Sequence, residues 1–159
     1  MQKRKMLEIA INIMKKIIFL LLISVSASAQ MDTTKTPYEN IQQFAKTWIG
    51  RKYKLGGYTE KGIDCSQLTK RFYKDMFGVT IGNNAQAQWR QAKIIPKLAM
   101  QPGDIMFFRS PDSPTGWHCG IYIGDERFLH AANRAEGVKI SSIDEPKYIK
   151  RFRGVGRIE

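Results

Sequence analysis

The chain has 159 residues, of which 43% are hydrophobic and 11% aromatic. That is enough for one packed domain, too little for two ordinary ones, and too apolar for a disordered chain. Two cysteines exclude a disulfide scaffold, and a net charge of +12 favours anionic surroundings. An anionic wall polymer or membrane surface fits that charge. Nucleic acid is not expected as a partner, because no basic stripe interleaved with aromatics and no reader motif is present.

A leader is expected at the start of the chain. Lys15 and Lys16 precede an apolar run over residues 17–25, and Ala27-Ser28-Ala29 follows. A basic flank, a short apolar segment and a small-x-small site predict a secretory signal peptide over residues 1–29, cleaved near Ala29. The run of nine residues is well short of the ~20 that a spanning helix needs, which argues against an uncleaved anchor. Either Met1 or Met14 can serve as the start. Position 30 is Gln, so lipid attachment to a cysteine after cleavage is not supported. The expected location is therefore outside the cytoplasm, secreted or periplasmic. The leader carries five bases and one acid, so the remainder keeps a net charge of +8.

Residues 30–36 are polar and aperiodic and read as a linker to a single domain over 37–159. Thr36-Pro37-Tyr38-Glu39 has the form of a capping box, and Ile41, Phe44, Ala45 and Trp48 follow at helical spacing until Gly50. Gly56-Gly57 and Gly62 break the next stretch into loop. A second helix is predicted over residues 64–76, capped by Asp64, with Leu68, Phe72 and Met76 as its apolar stripe and Gly78 as its stop. A short third helix follows Asn84. After Pro102-Gly103-Asp104 the period changes, and β-type runs are predicted over 105–108, 120–123, 127–130, 138–141 and 154–158. Helices first and strands second predict an α+β fold, with N-terminal helices packed on a C-terminal antiparallel sheet.

Cys65 opens the second helix, and the chain's two histidines, His118 and His130, both fall on predicted strands. A thiol in a helix's first turn is shifted toward thiolate by the unpaired N–H groups there. An imidazole can take its proton and later protonate a leaving amine, and a third polar group can hold that imidazole in one tautomer. His118 fits the base and His130 the orienting role, and the thiol and imidazole are expected to titrate jointly. The competing readings are a buried thiol at Cys65 and a plain sheet histidine at His130. Strand parity turns Cys119 away from the face His118 presents, which argues against a Cys65–Cys119 disulfide and leaves Cys119 as a buried apolar residue. No metal is expected, since the Cys and His spacing matches no zinc pattern. No cofactor is expected either.

Tyr53-Lys54-Leu55-Gly56-Gly57, Asp64-Cys65-Ser66, Gln101-Pro102-Gly103-Asp104, His118-Cys119-Gly120-Ile121 and Phe128-Leu129-His130-Ala131 together resemble the NlpC-type cell-wall cysteine peptidases, in order and in spacing, over roughly residues 38–158. The resemblance implies a papain-like α+β fold and hydrolysis of amide bonds in peptidoglycan stem peptides, often between D-γ-glutamyl and a diamino acid. It implies Cys65 as nucleophile, His118 as base and His130 as orienter. Tyr53, Asp64 and Ser66 become substrate-binding candidates, although Asp64 also serves as a helix cap and Tyr53 could be a packed aromatic. Gln67 and Cys119 depart mildly from the family pattern, and Ile81-Gly82-Asn83-Asn84 alters a loop near the expected groove. An acyltransferase or amidase of the same fold, or an inactive module that binds wall fragments, are the alternatives.

Overall fold

A computed structural model describes residues 34–159, together with Glu8, Asn12, Met14 and Lys15. The expected signal peptide, its cleavage site and most of the 30–36 linker lie outside the described residues. Helix α1 (Pro37–Trp48) begins with the capping box: Thr36 Oγ1 accepts from the Glu39 amide and the Glu39 carboxylate accepts from the Thr36 amide. Its buried stripe is Ile41, Phe44, Ala45 and Trp48. A small hairpin, β1 (Tyr58–Thr59) and β2 (Gly62–Ile63), leads into α2 (Cys65–Phe77). Helix α2 ends at Gly78, whose φ of 69° lies in the left-handed region that glycine enters without a steric penalty.

Helix α3 (Ala85–Gln91) follows the Asn84 cap, and β3 (Lys93–Ile95) leaves it directly. Then come β4 (Ile105–Arg109), β5 (Trp117–Gly124), β6 (Arg127–Ala131), β7 (Val138–Ser142), helix α4 (Pro146–Arg151) and β8 (Phe152–Arg157). The six-stranded sheet runs β3-β8-β4-β5-β6-β7, and every pairing in it is antiparallel. Each predicted strand is found, and β5 starts three residues before the predicted run at Gly120. The extension comes from β4, whose Phe108 and Arg109 pair with His118 and Trp117. That pairing places His118 within the ladder.

The sheet is buried on both faces, and the two-residue period of β4 divides the core. Ile105 and Phe107 face the helices and pack with Ile41, Phe44, Leu68, Phe72 and Ile121. Met106 and Phe108 face the other way, against Phe128, Ile143 and Tyr148, the last brought in by α4. Asp104, at the start of β4, is locked to β8: its two carboxylate oxygens accept from Arg157 Nε and Nη2, each at 2.8 Å. A paired charge is the form in which a buried carboxylate is tolerated. Among the described residues no helix is long and apolar enough to cross a membrane.

Candidate active site

The first turn of α2 is fixed by Asp64. Its Oδ1 accepts from the Gln67 amide and from Ser66 Oγ, both at 2.8 Å, and its Oδ2 accepts from the Gly56 amide at 2.7 Å. One carboxylate thus caps the helix and pins the Gly56-Gly57 turn against it. Asp64 and Ser66 are both buried, and their polar atoms are committed to each other and to backbone. They still line the cleft beside Cys65.

Cys65 is the first residue of α2 and is 9% exposed. It sits where two lobes of a cleft meet, of about 340 and 220 Å³, which share Tyr53, Leu55, Ser113 and Pro114. Its thiol is held well below the ordinary thiol range. The Cys119 thiol hydrogen-bonds to it, and the charge and ring of His118 and the Cys119 backbone N–H act the same way, outweighing burial. The same site pushes the Tyr53 phenol up to about 12, by burial first and then by the negative charge of Cys65 and Asp64. Tyr53 therefore faces the cleft as a protonated O–H.

His118 and His130 meet through the sheet register. On β5 and β6, Ile121 pairs with Leu129, and continuing the register sets Gly120 opposite His130. His118 is then the diagonal neighbour on the same face. The ring nitrogens His118 Nε2 and His130 Nδ1 are 2.8 Å apart. A Cβ on Gly120 would lie 2.6 Å from the Phe128 ring and 2.9 Å from the Leu129 carbonyl oxygen, so the bare glycine is what lets these side chains close over the strand.

His130 is 1% exposed, and its Nε2 lies 3.1 Å from Ser141 Oγ and 3.3 Å from the Tyr148 hydroxyl. Its pKa is held well below the histidine range by burial, and further by the positive charge of His118, Lys139 and Lys147. A neutral His130 with its proton on Nε2 donates to that hydroxyl pair, leaving Nδ1 free to accept from His118 Nε2–H. This arrangement leaves His118 Nδ1 for the sulfur.

Ser141 and Tyr148 are absent from the sequence reading. The strand period offers a signal for Ser141, since β7 puts residues 139 and 141 on one face and Lys139 pairs with His130. Tyr148 arrives on the six-residue α4, whose sequence carries no apolar stripe long enough to mark it.

Cys119 is buried and free, as expected, but its thiol meets the polar side chains of Thr69 and Gln88. Parity holds, because its side chain points into the helix-side core while His118 packs on the Phe108 side. Parity does not separate it from Cys65, however. The Cys119 thiol, the His118 ring and the Cys119 backbone N–H all act on the Cys65 thiol. Both cysteines are free thiols. Among the described residues no group of three or more His, Cys, Asp or Glu side chains is arranged to hold a metal ion.

Taken chemically, the constellation offers a thiol shifted toward thiolate, an imidazole beside it, a second imidazole that fixes the first, and a phenol donor on one cleft. Known proteins share its frame. The NlpC/P60 family model matches residues 50–157. The chain is 39% identical over 111 residues to the murein DD-endopeptidase MepS/murein LD-carboxypeptidase of Escherichia coli, covering 70% of this chain and 57% of that protein. It is 37% identical to a probable endopeptidase of Haemophilus influenzae, covering 70% of this chain and 68% of that one. The chain thus spans a little over half the length of the E. coli relative. Among solved structures, an NlpC/P60 family protein from Bacillus cereus superposes with a TM-score of 0.69 at 28% identity, covering 77% of this chain and 40% of that chain. The NlpC/p60 domain of the peptidoglycan hydrolase SagA superposes with a TM-score of 0.64 at 27% identity, covering 77% of this chain and all of that domain. A family match across most of the described chain, joined to a shared α+β frame, makes this chain a member of the NlpC/P60 family.

Proposed function

We propose that this chain is a cysteine endopeptidase of the cell envelope that hydrolyses amide bonds in peptidoglycan stem peptides, with Cys65 as nucleophile, His118 as base and acid, and His130 as orienter. One observation carries the reading: a thiol favoured as thiolate at a helix N-terminus, facing an imidazole whose far nitrogen is 2.8 Å from a buried, neutral second imidazole. The names of the relatives, murein DD-endopeptidase in one case and gamma-DL-glutamyl hydrolase in another at 31% identity, support the substrate class.

The Cys65 thiolate attacks the scissile carbonyl carbon, and the Tyr53 O–H lies on the cleft wall as a donor for the oxygen that becomes negative. His118 gives its proton to the departing amine, leaving a thioester on Cys65. It then draws a proton from water, which attacks the thioester and frees the acid. His130 keeps the His118 ring in place, and Ser141 and Tyr148 keep His130 in place. The favoured bond is the one between D-γ-glutamyl and a diamino acid. Asp64 and Ser66 shape the adjoining wall, and Arg134 and Arg151 line the other lobe as cations that suit a stem-peptide carboxylate. Secretion through residues 1–29 and a linker over 30–36 would deliver the domain to that substrate.

Purified muropeptides provide the test. Mass spectrometry should find a new free amine on the diamino acid, and Cys65→Ala should abolish turnover while circular dichroism stays unchanged. Hydrolysis retained in that variant would remove Cys65 from the mechanism. Transfer of the acyl group to an added amine in preference to water would instead favour the acyltransferase alternative.

A further inference from the structure

Two thiols meet at this site, and hydrolysis uses only one. Cys119 is fully buried beneath the first turn of α2. Its sulfur is 3.6 Å from the hydroxyl of Thr69, which lies one helical turn beyond Cys65 on the same face, and 3.4 Å from Gln88 Oε1. Thr69 and Gln88 are themselves tied together at 2.7 Å, so the Cys119 thiol is held in a polar niche against α2, one helical turn from Cys65 and in the same packed cluster. Cys65, by contrast, lines the open cleft.

We infer that Cys65 and Cys119 form a hydroperoxide-reactive pair, in which oxidation of Cys65 is captured by Cys119 as a reversible intramolecular disulfide. The Cys65 thiolate attacks one oxygen of hydrogen peroxide: the S–O bond forms, the O–O bond breaks, and the sulfur is oxidised to the sulfenic acid. The hydroxide that leaves takes the proton that His118 received from Cys65, giving water. The Cys119 sulfur then attacks the Cys65 sulfur. The S–S bond forms as the S–O bond breaks, and the hydroxyl leaves as a second water with the Cys119 proton. Two thiols and one peroxide become one disulfide and two waters.

The placement of the two sulfurs gives each its part. Peroxide entering the cleft meets Cys65 first, while Cys119 is screened from solvent and from foreign thiols. Burial and the neighbouring negative charge of Cys65 keep the Cys119 thiol protonated, so it does not compete as the first nucleophile. Once the Cys65 sulfur is electrophilic, Cys119 is the thiol already beside it. A captured Cys65 is recoverable by thiol reductants, whereas an uncaptured sulfenic acid proceeds to sulfinic acid, which they do not reduce. The activity consequence rests on the peptidase reading above; the covalent chemistry does not.

The experiment treats the purified chain with hydrogen peroxide and follows intact mass, peptide maps and muropeptide hydrolysis. The expected product is two hydrogens lighter, carries a peptide cross-linking Cys65 to Cys119, hydrolyses nothing, and regains its untreated rate in dithiothreitol. Cys119→Val and, as the smaller change, Cys119→Ser should instead gain two oxygens on Cys65 and fail to recover whatever activity each had before treatment. A wild-type product with oxygens added at Cys65 and no cross-linked peptide, or one linked only between chains, overturns the inference even if neither variant folds. A cross-link found in a protein that never cleaves muropeptides upholds the pair and removes only the peptidase reading.

Discussion

His130 stays neutral because burial strips its ring of water and because His118, Lys139 and Lys147 would oppose a further positive charge beside it. In the unfolded chain the same ring takes up a proton near the ordinary value of 6.5. Below that pH the unfolded state binds a proton that the folded state refuses. The contribution is therefore complete above the unfolded pKa and is lost as pH falls toward the depressed folded one, at no more than about 1.4 kcal/mol per pH unit. Urea midpoints should drop for the wild type between about pH 6.5 and pH 5, and drop less for His130→Asn. Equal slopes in the two proteins would mean that His130 is not the neutral group described. His130→Leu, which carries no acceptor for His118 Nε2, should lower kcat by about 10²-fold or more with KM little changed. A variant with wild-type kcat would demote His130 to a packing residue.

Between residue and fold stand the elements that aim these side chains, and the most exposed of their dependencies is Gly120. An added methyl there has no free space, since two of the atoms it would meet belong to the Phe128 ring and the Leu129 backbone. Gly120→Ala should cost about 1–3 kcal/mol, the usual penalty for overpacking, and should also spread the two histidines. Thermal melts and kcat/KM measured together check this: a stable variant with intact kcat/KM would show that the strands yield without moving the rings. Asp64 is the second dependency. Asp64→Ala removes the cap, the Ser66 partner and the Gly56 tie at once and should cost about 2 kcal/mol or more, since each is a hydrogen bond to a charged, buried acceptor. Asp64→Asn, which keeps one carbonyl acceptor, should restore part of it. Equal stabilities in denaturant for the alanine and asparagine variants would contradict the capping account.

These dependencies also explain what could be read from residue order. Helices α1 and α2 were legible because Thr36, Glu39, Asp64 and Gly78 are local signals, each acting within a few positions of itself. Cys65 and His118 were legible as a pair for a similar reason: a cysteine following a cap and a histidine in an apolar run are recognisable before anything packs. Strand β3 was not, because Lys93 and Ile94 are exposed on an edge strand that exists only through its pairing with β8. Helix α4 is not legible because its six residues, the first of them a proline, carry too little periodicity. The polar setting of Cys119 is not legible because alternation along a strand says which face a side chain takes and nothing of the Thr69 and Gln88 side chains that other elements bring to it.

At the scale of the whole molecule, charge is the property that residue geometry does not explain. The chain beyond the expected leader keeps a net charge of +8, and in the cleft lobe beside His118 the cations are Arg134 and Arg151, set against Asp112 alone among the acids. A surface of one sign acts over about a Debye length, roughly 10 Å in 0.1 M salt, so it would draw any polyanionic polymer toward the protein far more than one short peptide. Hydrolysis of intact wall carrying anionic polymers should therefore weaken steeply as salt rises, mainly through KM. Cleavage of a small soluble muropeptide should change little, because Cys65, His118 and His130 are buried or cleft-bound and poorly screened. Replacing Arg134 and Arg151 together by Gln should raise KM for a muropeptide with a free carboxylate and leave its amidated analogue unaffected. If the two substrates lost affinity equally, the arginines would be shaping the cleft, and the wall's attraction would have to come from charges farther out on the surface. If salt affected wall and fragment alike, the excess of positive charge would have no part in bringing this domain to an anionic polymer.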